Sequence, residues 1–295
     1  MNEKHPAHPV SVPLDPWRVL LIKEKANLSR REAPRPTGDS TAPPFSSSEI
    51  LATLYYGVLR IRPAEPEWPD RDRFVFGGRA TAAALMPLLT DRGFRPPSSP
   101  DQDPGPGAGF GGLHDPTRVP GVDFGSGSAG AALPIGVGMA TAACLAGRQY
   151  RTFVLLDEKE RQAEHVWEAA LVAGRHALGN LIAIVGHHDQ GPDGRFVDTG
   201  PTSHFADKWT SLGWDVFHVD GHNVTALLLL LRALRVTDRS APAVVLARTH
   251  GGEWLPPDRQ SLRRLSEAAP ALGDALTDSH QESSERLTHS RLTGP

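Results

Sequence analysis

One cysteine, Cys144, serves the whole chain of 295 residues. No intrachain disulfide can form, and no zinc site of four thiolates is available. Cys144 lies in an alanine-rich apolar segment, where a small buried hydrophobe is the expected role. Neither sign of charge dominates: 31 Lys and Arg face 34 Asp and Glu, for a formal net charge of -3. With no dense basic stripe either, a general nucleic-acid surface is excluded. Long apolar runs are also missing. None reaches bilayer-spanning length, and the start, MNEKHPAHPVSV, lacks the apolar stretch of an export signal. The expectation is a cytoplasmic protein without a membrane partner. At 39% hydrophobic residues the chain has enough apolar surface for one large core or two modest ones.

What is present is organised around RTFVLLDEKERQAEHVWEAALVAGRHALGNLIAIVGHHDQGPDG. Phe153 to Leu156 and Leu181 to Val185 are short apolar runs bounded by turn signals, which predicts interior strands. Between them Val166, Ala169, Ala170, Ala173 and Ala177 recur at helical spacing. The three together form a βαβ unit. Ligands of such units sit at the carboxyl ends of the strands beside helix amino ends, so the corners of interest are 157–164 and 186–194.

Along the rest of the chain, Trp17 to Leu28 can open a helix, and the prolines at 34, 36, 43 and 44 then break it. Ser46 or Ser47 can cap a second helix carrying Ile50, Leu51, Leu54, Tyr55 and Leu59. FVFGGRATAAALMPLL passes from a short apolar run through two glycines into a helix that Arg79 opens. Arg79 reads either as a solvated helix-start residue or as an anion contact. The stretch 97–112 is a long Pro/Gly/Asp loop. In PGVDFGSGSAGAALPIGVGM, Gly125, Gly127 and Gly130 permit a ligand or a neighbouring subunit to approach the backbone, or simply let helices pack. The glycines do not directly follow a strand on this reading. A short helix around Trp209, a strand at Asp215 to Val219, a helix capped by Asn223 and a strand at Ala243 to Ala247 complete the pattern. The fold class is α/β: a doubly wound, mostly parallel sheet with helices on both faces.

Several of these stretches resemble the diphosphate-binding domain of transketolases, and most closely the amino-terminal subunit of the split form. They are RDRFVFGGR (71–79), PGVDFGSGSAGAALPIGVGM (120–139), VWEAA (166–170), NLIAIV (180–185), ADKWTSLG (206–213) and VDGH (219–222), in collinear order. The resemblance implies an arm and loop over 1–45, a thiamine diphosphate-binding fold over 46–254 and a tail over 255–295. It implies thiamine diphosphate and a divalent cation as cofactors. It also implies a separate transketolase-like C-terminal subunit carrying the pyrimidine-binding domain, and so a hetero-oligomer.

The cofactor motif departs from the family. The four places of a glycine, aspartate, glycine, glutamate run read Asp157, Glu158, Lys159 and Glu160, so both glycines are lost and the final glutamate is kept. Glu158 takes the place of the metal-binding aspartate, in a magnesium shell whose oxygen distances are roughly 2.0 to 2.1 Å. His188 takes the place of a metal-binding asparagine. Nitrogen suits manganese or zinc better than magnesium, so Glu158 with His188, joined by His187 or Asp189, either selects such an ion or is an ordinary surface cluster. Arg79 and Lys159 are cations able to approach a diphosphate, and Gly127 allows close backbone approach. The cofactor-binding candidates are therefore Arg79, Gly127, Asp157, Glu158, Lys159 and His188. The catalytic group is unassigned, with His114, out of register with a family histidine, and Glu160 as candidates. Two function classes follow. One is a subunit of a thiamine diphosphate enzyme that transfers a two-carbon ketol unit or performs a related acyloin-type reaction. The other is a catalytically weakened pseudoenzyme that binds and stabilises its partner.

Overall fold

The computed structural model describes residues 15–33, 47–94, 120–126, 130–157, 160, 163–188 and 202–249. All lie in the first of the two units into which the chain divides, Met1–Trp254 and Leu255–Pro295. In order, the elements are α1 (Pro16–Glu32), α2 (Ser48–Thr53) continued by a π turn (Leu54–Val58), β1 (Arg73–Gly77), α3 (Arg79–Asp91), β2 (Phe124–Ser126), α4 (Ala132–Leu145), β3 (Thr152–Leu156), α5 (Glu164–Arg175), β4 (Leu181–His188), α6 (Thr202–Ser211), β5 (Asp215–Asp220), α7 (Val224–Val236) and β6 (Ala243–Thr249). The strands form one sheet in the order β2-β1-β3-β4-β6-β5. Every pairing is parallel.

A parallel sheet buried on both faces needs strands that are apolar on both sides, and the central ones satisfy this. Phe74, Phe76, Phe153, Leu155, Ile182, Ile184, Val245 and Ala247 face a core shared with α1, α2, α3 and α7. Val75, Val154, Leu156, Leu181, Ala183, Val185, Val244 and Leu246 face the core shared with α4, α5 and α6. The register places Val154 opposite Val75 on one side and Ala183 on the other, so side chains of equal direction stack across the sheet. Gly136 lets α4 settle onto this surface: a Cβ there would lie 2.3 Å from Val154 Cγ2.

A polar network anchors the far, amino-terminal edge of the sheet. Asp123 accepts from Arg71 Nη1 at 2.7 Å and from the Phe74 N–H at 2.8 Å. Asp72 accepts from the Arg60 and Arg151 N–H groups and from Arg235 Nε at 2.7 Å. The charged residues of RDRF therefore hold the sheet together at the end opposite the strand carboxyl termini.

Several expectations are corrected. Phe124–Ser126 is a strand, so the glycine-rich stretch does contain one. β4 runs through His187 and His188, pairing His188 with Thr249, where a polar corner is expected. Ala177 lies beyond α5 in a left-handed conformation, φ 51°. Ser47 stands at the cap of α2 without a side-chain cap bond. Cys144 is exposed rather than buried. α4 is apolar all round, and a helix packed on a sheet along one face must present part of such a surface outward. Asn223 does cap α7, accepting from the Ala226 N–H at 3.1 Å. Among the described residues no helix is long and apolar enough to cross a membrane.

Candidate functional site

The strand order reverses between β1 and β3: from β1 the chain moves outward to β2, then returns to the other side as β3. Such a reversal opens a crevice at the carboxyl ends of the two strands. Here β1 ends in Gly77 and is followed by Gly78, and Asp157 directly follows β3. Gly78 has φ 82°, a conformation that residues with a Cβ rarely adopt, and it caps α3.

Two carboxylates fill this crevice. The Glu160 N–H donates to Asp157 Oδ1 at 2.9 Å, and the Asp157 N–H donates to Glu160 Oε2 at 3.3 Å. This reciprocal pair three residues apart has the bonding pattern of a capping box but closes a turn ahead of α5, whose N-cap is Ala163. The other oxygen of Glu160 accepts from the Gly130 N–H at 3.3 Å, and the N–H of Ala132, first residue of α4, bears on the same carboxylate electrostatically. Glu160 is 1% exposed. Burial, joined by the neighbouring charge of Asp157, pushes its carboxyl up to about 7; the backbone N–H groups of Asp157, Gly130 and Ala132 oppose that shift. The floor is bare backbone. A Cβ on Gly77 would lie 1.7 Å from Glu160 Oε2, and one on Gly78 would lie 2.2 Å from Asp157 Oδ2.

The fold brings several sequence candidates to one edge. Arg79 opens α3 directly after the β1 glycines, Asp157 closes β3, and His188 ends the adjacent β4. The side chains of Arg79, His187 and His188 lie outside what is described, as do Gly127, Glu158, Lys159, His114 and Asp189. Among the described residues no group of three or more His, Cys, Asp or Glu is placed to hold a metal ion.

Residues 37–270 match the family model described as transketolase, thiamine diphosphate binding domain. The chain belongs to that family. Within it, the chain is 30% identical over 209 residues to a 6-deoxy-6-sulfo-D-fructose transketolase subunit, SqwG, of a Clostridium species, covering 71% of this chain and 76% of the relative. It is 29% identical to one subunit of the apulose-4-phosphate transketolase of Phocaeicola vulgatus, covering 71% and 74%. The structure of transketolase from Campylobacter jejuni superposes with a TM-score of 0.65 at 21% identity, over 80% of this chain and 38% of that one. The chain thus spans about two fifths of that transketolase and about three quarters of the two relatives named as subunits.

The described residues bring two carboxylates to the end of the sheet where the family implies a diphosphate. A helix amino end at a strand reversal is an anion seat, and the Gly130 N–H just ahead of α4 already donates to the Glu160 carboxylate. Asp157 adds a second carboxylate beside it. Sequence reasoning finds Asp157 as a cofactor-binding candidate and Glu160 as a catalytic candidate, without seeing the bonds between them. The D-x-x-E spacing, which permits such reciprocal bonding, together with the two glycines between the neighbouring strand and α3, is the signal that joins Gly77 and Gly78 to them.

Proposed function

We propose that this chain is the amino-terminal subunit of a two-chain, transketolase-type assembly in the cytoplasm. A separate transketolase-like C-terminal subunit carrying the pyrimidine-binding domain completes it, and the reaction class of the whole is transfer of a two-carbon ketol unit or a related acyloin-type conversion. The observation that carries this reading is the similarity to two relatives named as subunits, each aligned over about three quarters of its own length. In the assembly the chain contributes the face at the β1–β3 strand ends and the amino end of α4. Any divalent ion would fall to Glu158 and His188.

A second reading is favoured by one feature of the site. With Glu160 and Asp157 bringing two carboxylates to the strand ends, a subunit that binds and stabilises its partner, without conventional cofactor chemistry of its own, accounts for a family fold kept around an altered motif. Co-expression with a pyrimidine-domain chain, followed by sedimentation and a ketol-transfer assay, tests both. The enzyme-subunit reading expects co-sedimentation and activity that requires both chains, and the stabilising reading expects co-sedimentation without activity. A monomer that ignores its companion overturns both.

A further inference from the structure

We propose that Arg18, Arg92 and Arg232, gathered from three helices around the π turn, bind a phosphate-class dianion. Arg92, at the carboxyl end of α3, stacks over the Tyr56 ring at 5.2 Å. Arg232 of α7 donates from Nε to the carbonyl of the next residue, Gly57, at 2.8 Å. Both contacts fall on the π turn Leu54–Val58, an irregularity that recurs at functional sites. Arg18, in the first turn of α1, completes the group, and its charge bears on Arg92 and Arg232 alike. α3 begins directly after β1, and its 13 residues carry Arg92 about 20 Å from the strand ends. The site is therefore separate from the crevice and does not rest on the subunit reading.

The acids at hand are already engaged. Asp91 accepts from Lys25 Nζ at 2.5 Å through one oxygen and from the Tyr56 hydroxyl through the other. Asp15 caps α1, its side chain accepting from the Trp17 N–H at 3.0 Å. Among the described residues no carboxylate lies within ion-pair distance of the three arginines, and the guanidinium groups of Arg18 and Arg92 make no hydrogen bond. Counting Lys25, four cations stand against Asp15 and Asp91, an excess that one dianion balances. Burial holds Arg92 and Arg232 below the usual arginine range, and the charge of Arg18 pushes each the same way; Tyr56 and Asp91 push back at Arg92, and Asp15 at Arg232. Arg18 also stands in a helix first turn that holds no acid, where the macrodipole disfavours a cation. Repulsion, burial and helix-end position are local costs set at one place, and a bound anion offsets all three. Guanidinium forks meet the paired oxygens of phosphate in two hydrogen bonds each. A free ion and the phosphoryl group of a small ester present the same oxygens.

The test titrates the full chain with inorganic phosphate and with glycerol 3-phosphate, at an ionic strength held constant with chloride, and follows the Nε–H signals of Arg92 and Arg232 by NMR. Both signals should shift saturably in wild type, and the probe that binds more tightly tells the free ion from the ester. Arg18→Gln should weaken that affinity at least about tenfold. Thermal midpoints add a readout that a merely structural role would not move. In chloride, Arg18→Gln should melt at or above wild type, because a repelling cation is gone; in phosphate, wild type should overtake it. The absence of a saturable shift in wild type overturns the proposal without recourse to any variant. Equal affinity in Arg18→Gln overturns it too, as does a midpoint difference that is the same in both salts. Saturable shifts of the Gly77 and Gly78 amides, with Arg92 and Arg232 unmoved, place the anion in the crevice, and the proposal fails.

Discussion

Glycine at position 77 is what allows a carboxylate to lie against the end of β1, and this dependence can be measured. A Cβ there would stand 1.7 Å from Glu160 Oε2, and the atom in its way is the far end of a flexible side chain. Gly77→Ala should therefore expel the carboxylate instead of distorting the backbone, leaving buried N–H donors at Gly130 and Asp157 without their acceptor. An unsatisfied buried polar group costs about 1–3 kcal/mol. That is the expected loss in urea denaturation, and it should shrink markedly in a Glu160→Ala background, where the donors have already lost their partner. Equal losses in both backgrounds would separate Gly77 from Glu160. At this scale the sequence identifies the participants without their relations. Asp157 and Glu160 are legible as acids at a strand end, but their reciprocal bonding depends on a turn that local sequence only hints at. The part played by Gly130 depends on a contact thirty positions away.

Elements joined by a buried ion pair give a second test. Glu49 at the start of α2 pairs with Arg30 near the end of α1, and its other oxygen lies 3.2 Å from Nδ1 of His222, in the turn before α7. Burial alone would raise the Glu49 carboxyl, but the hydrogen bonds and charges of His222 and Arg30 outweigh it and hold the group below its ordinary value of 4.5. A depressed carboxyl contributes stability that is present above that ordinary value and lost as pH falls through the folded one. Glu49→Gln leaves the Arg30 guanidinium buried without its counter-charge, a loss of about 3–5 kcal/mol at neutral pH. Acid denaturation of the variant should also lack the component that Glu49 supplies to wild type. Parallel acid profiles would show that the pair does not couple these helices. The strands β3, β4 and β6 and the helices α5 and α7 are legible because long apolar patterns determine them. β2 is not, since three residues with a glycine at the centre carry no period. The end of β4 is missed for another reason: His187 and His188 are polar, and it is the ladder to Arg248 and Thr249 of β6 that draws them into the sheet.

At the scale of the whole molecule, most of the family-like segments turn out to be packing. Trp167 of VWEAA meets Phe205 and Trp209 at ring-centroid distances of 5.6 and 5.3 Å, and Trp214 Nε1 donates to the Ala170 carbonyl at 2.9 Å. Asn180 of NLIAIV donates to the Ala140 carbonyl at 2.9 Å, tying the start of β4 to α4. These contacts preserve a scaffold whatever happens to the chemistry at its strand ends, which is why the fold is far more legible than the site. The same packing leaves one side of α4 outward. Gly138, Ala142 and Leu145 are exposed, Leu145 by 85%, while Ala132, Leu133, Ala140 and Ala143 are consumed by the core. An apolar helix face of this kind is where a companion chain gains the most by covering it. Cys144 is the only thiol in the chain; it is exposed at the carboxyl end of α4, about a quarter turn round the helix from Leu145, with its Sγ 3.7 Å from Asn180 Oδ1, so it reports on a contact that covers that end of the helix. The isolated folded protein should take up one equivalent of a thiol reagent without denaturant, and the two-chain assembly should slow that labelling by about tenfold or more if α4 lies in the contact. Labelling that requires denaturant would contradict the exposure of Cys144. Labelling at the same rate in the isolated chain and in a complex known from sedimentation to have formed would place the partner on a different surface.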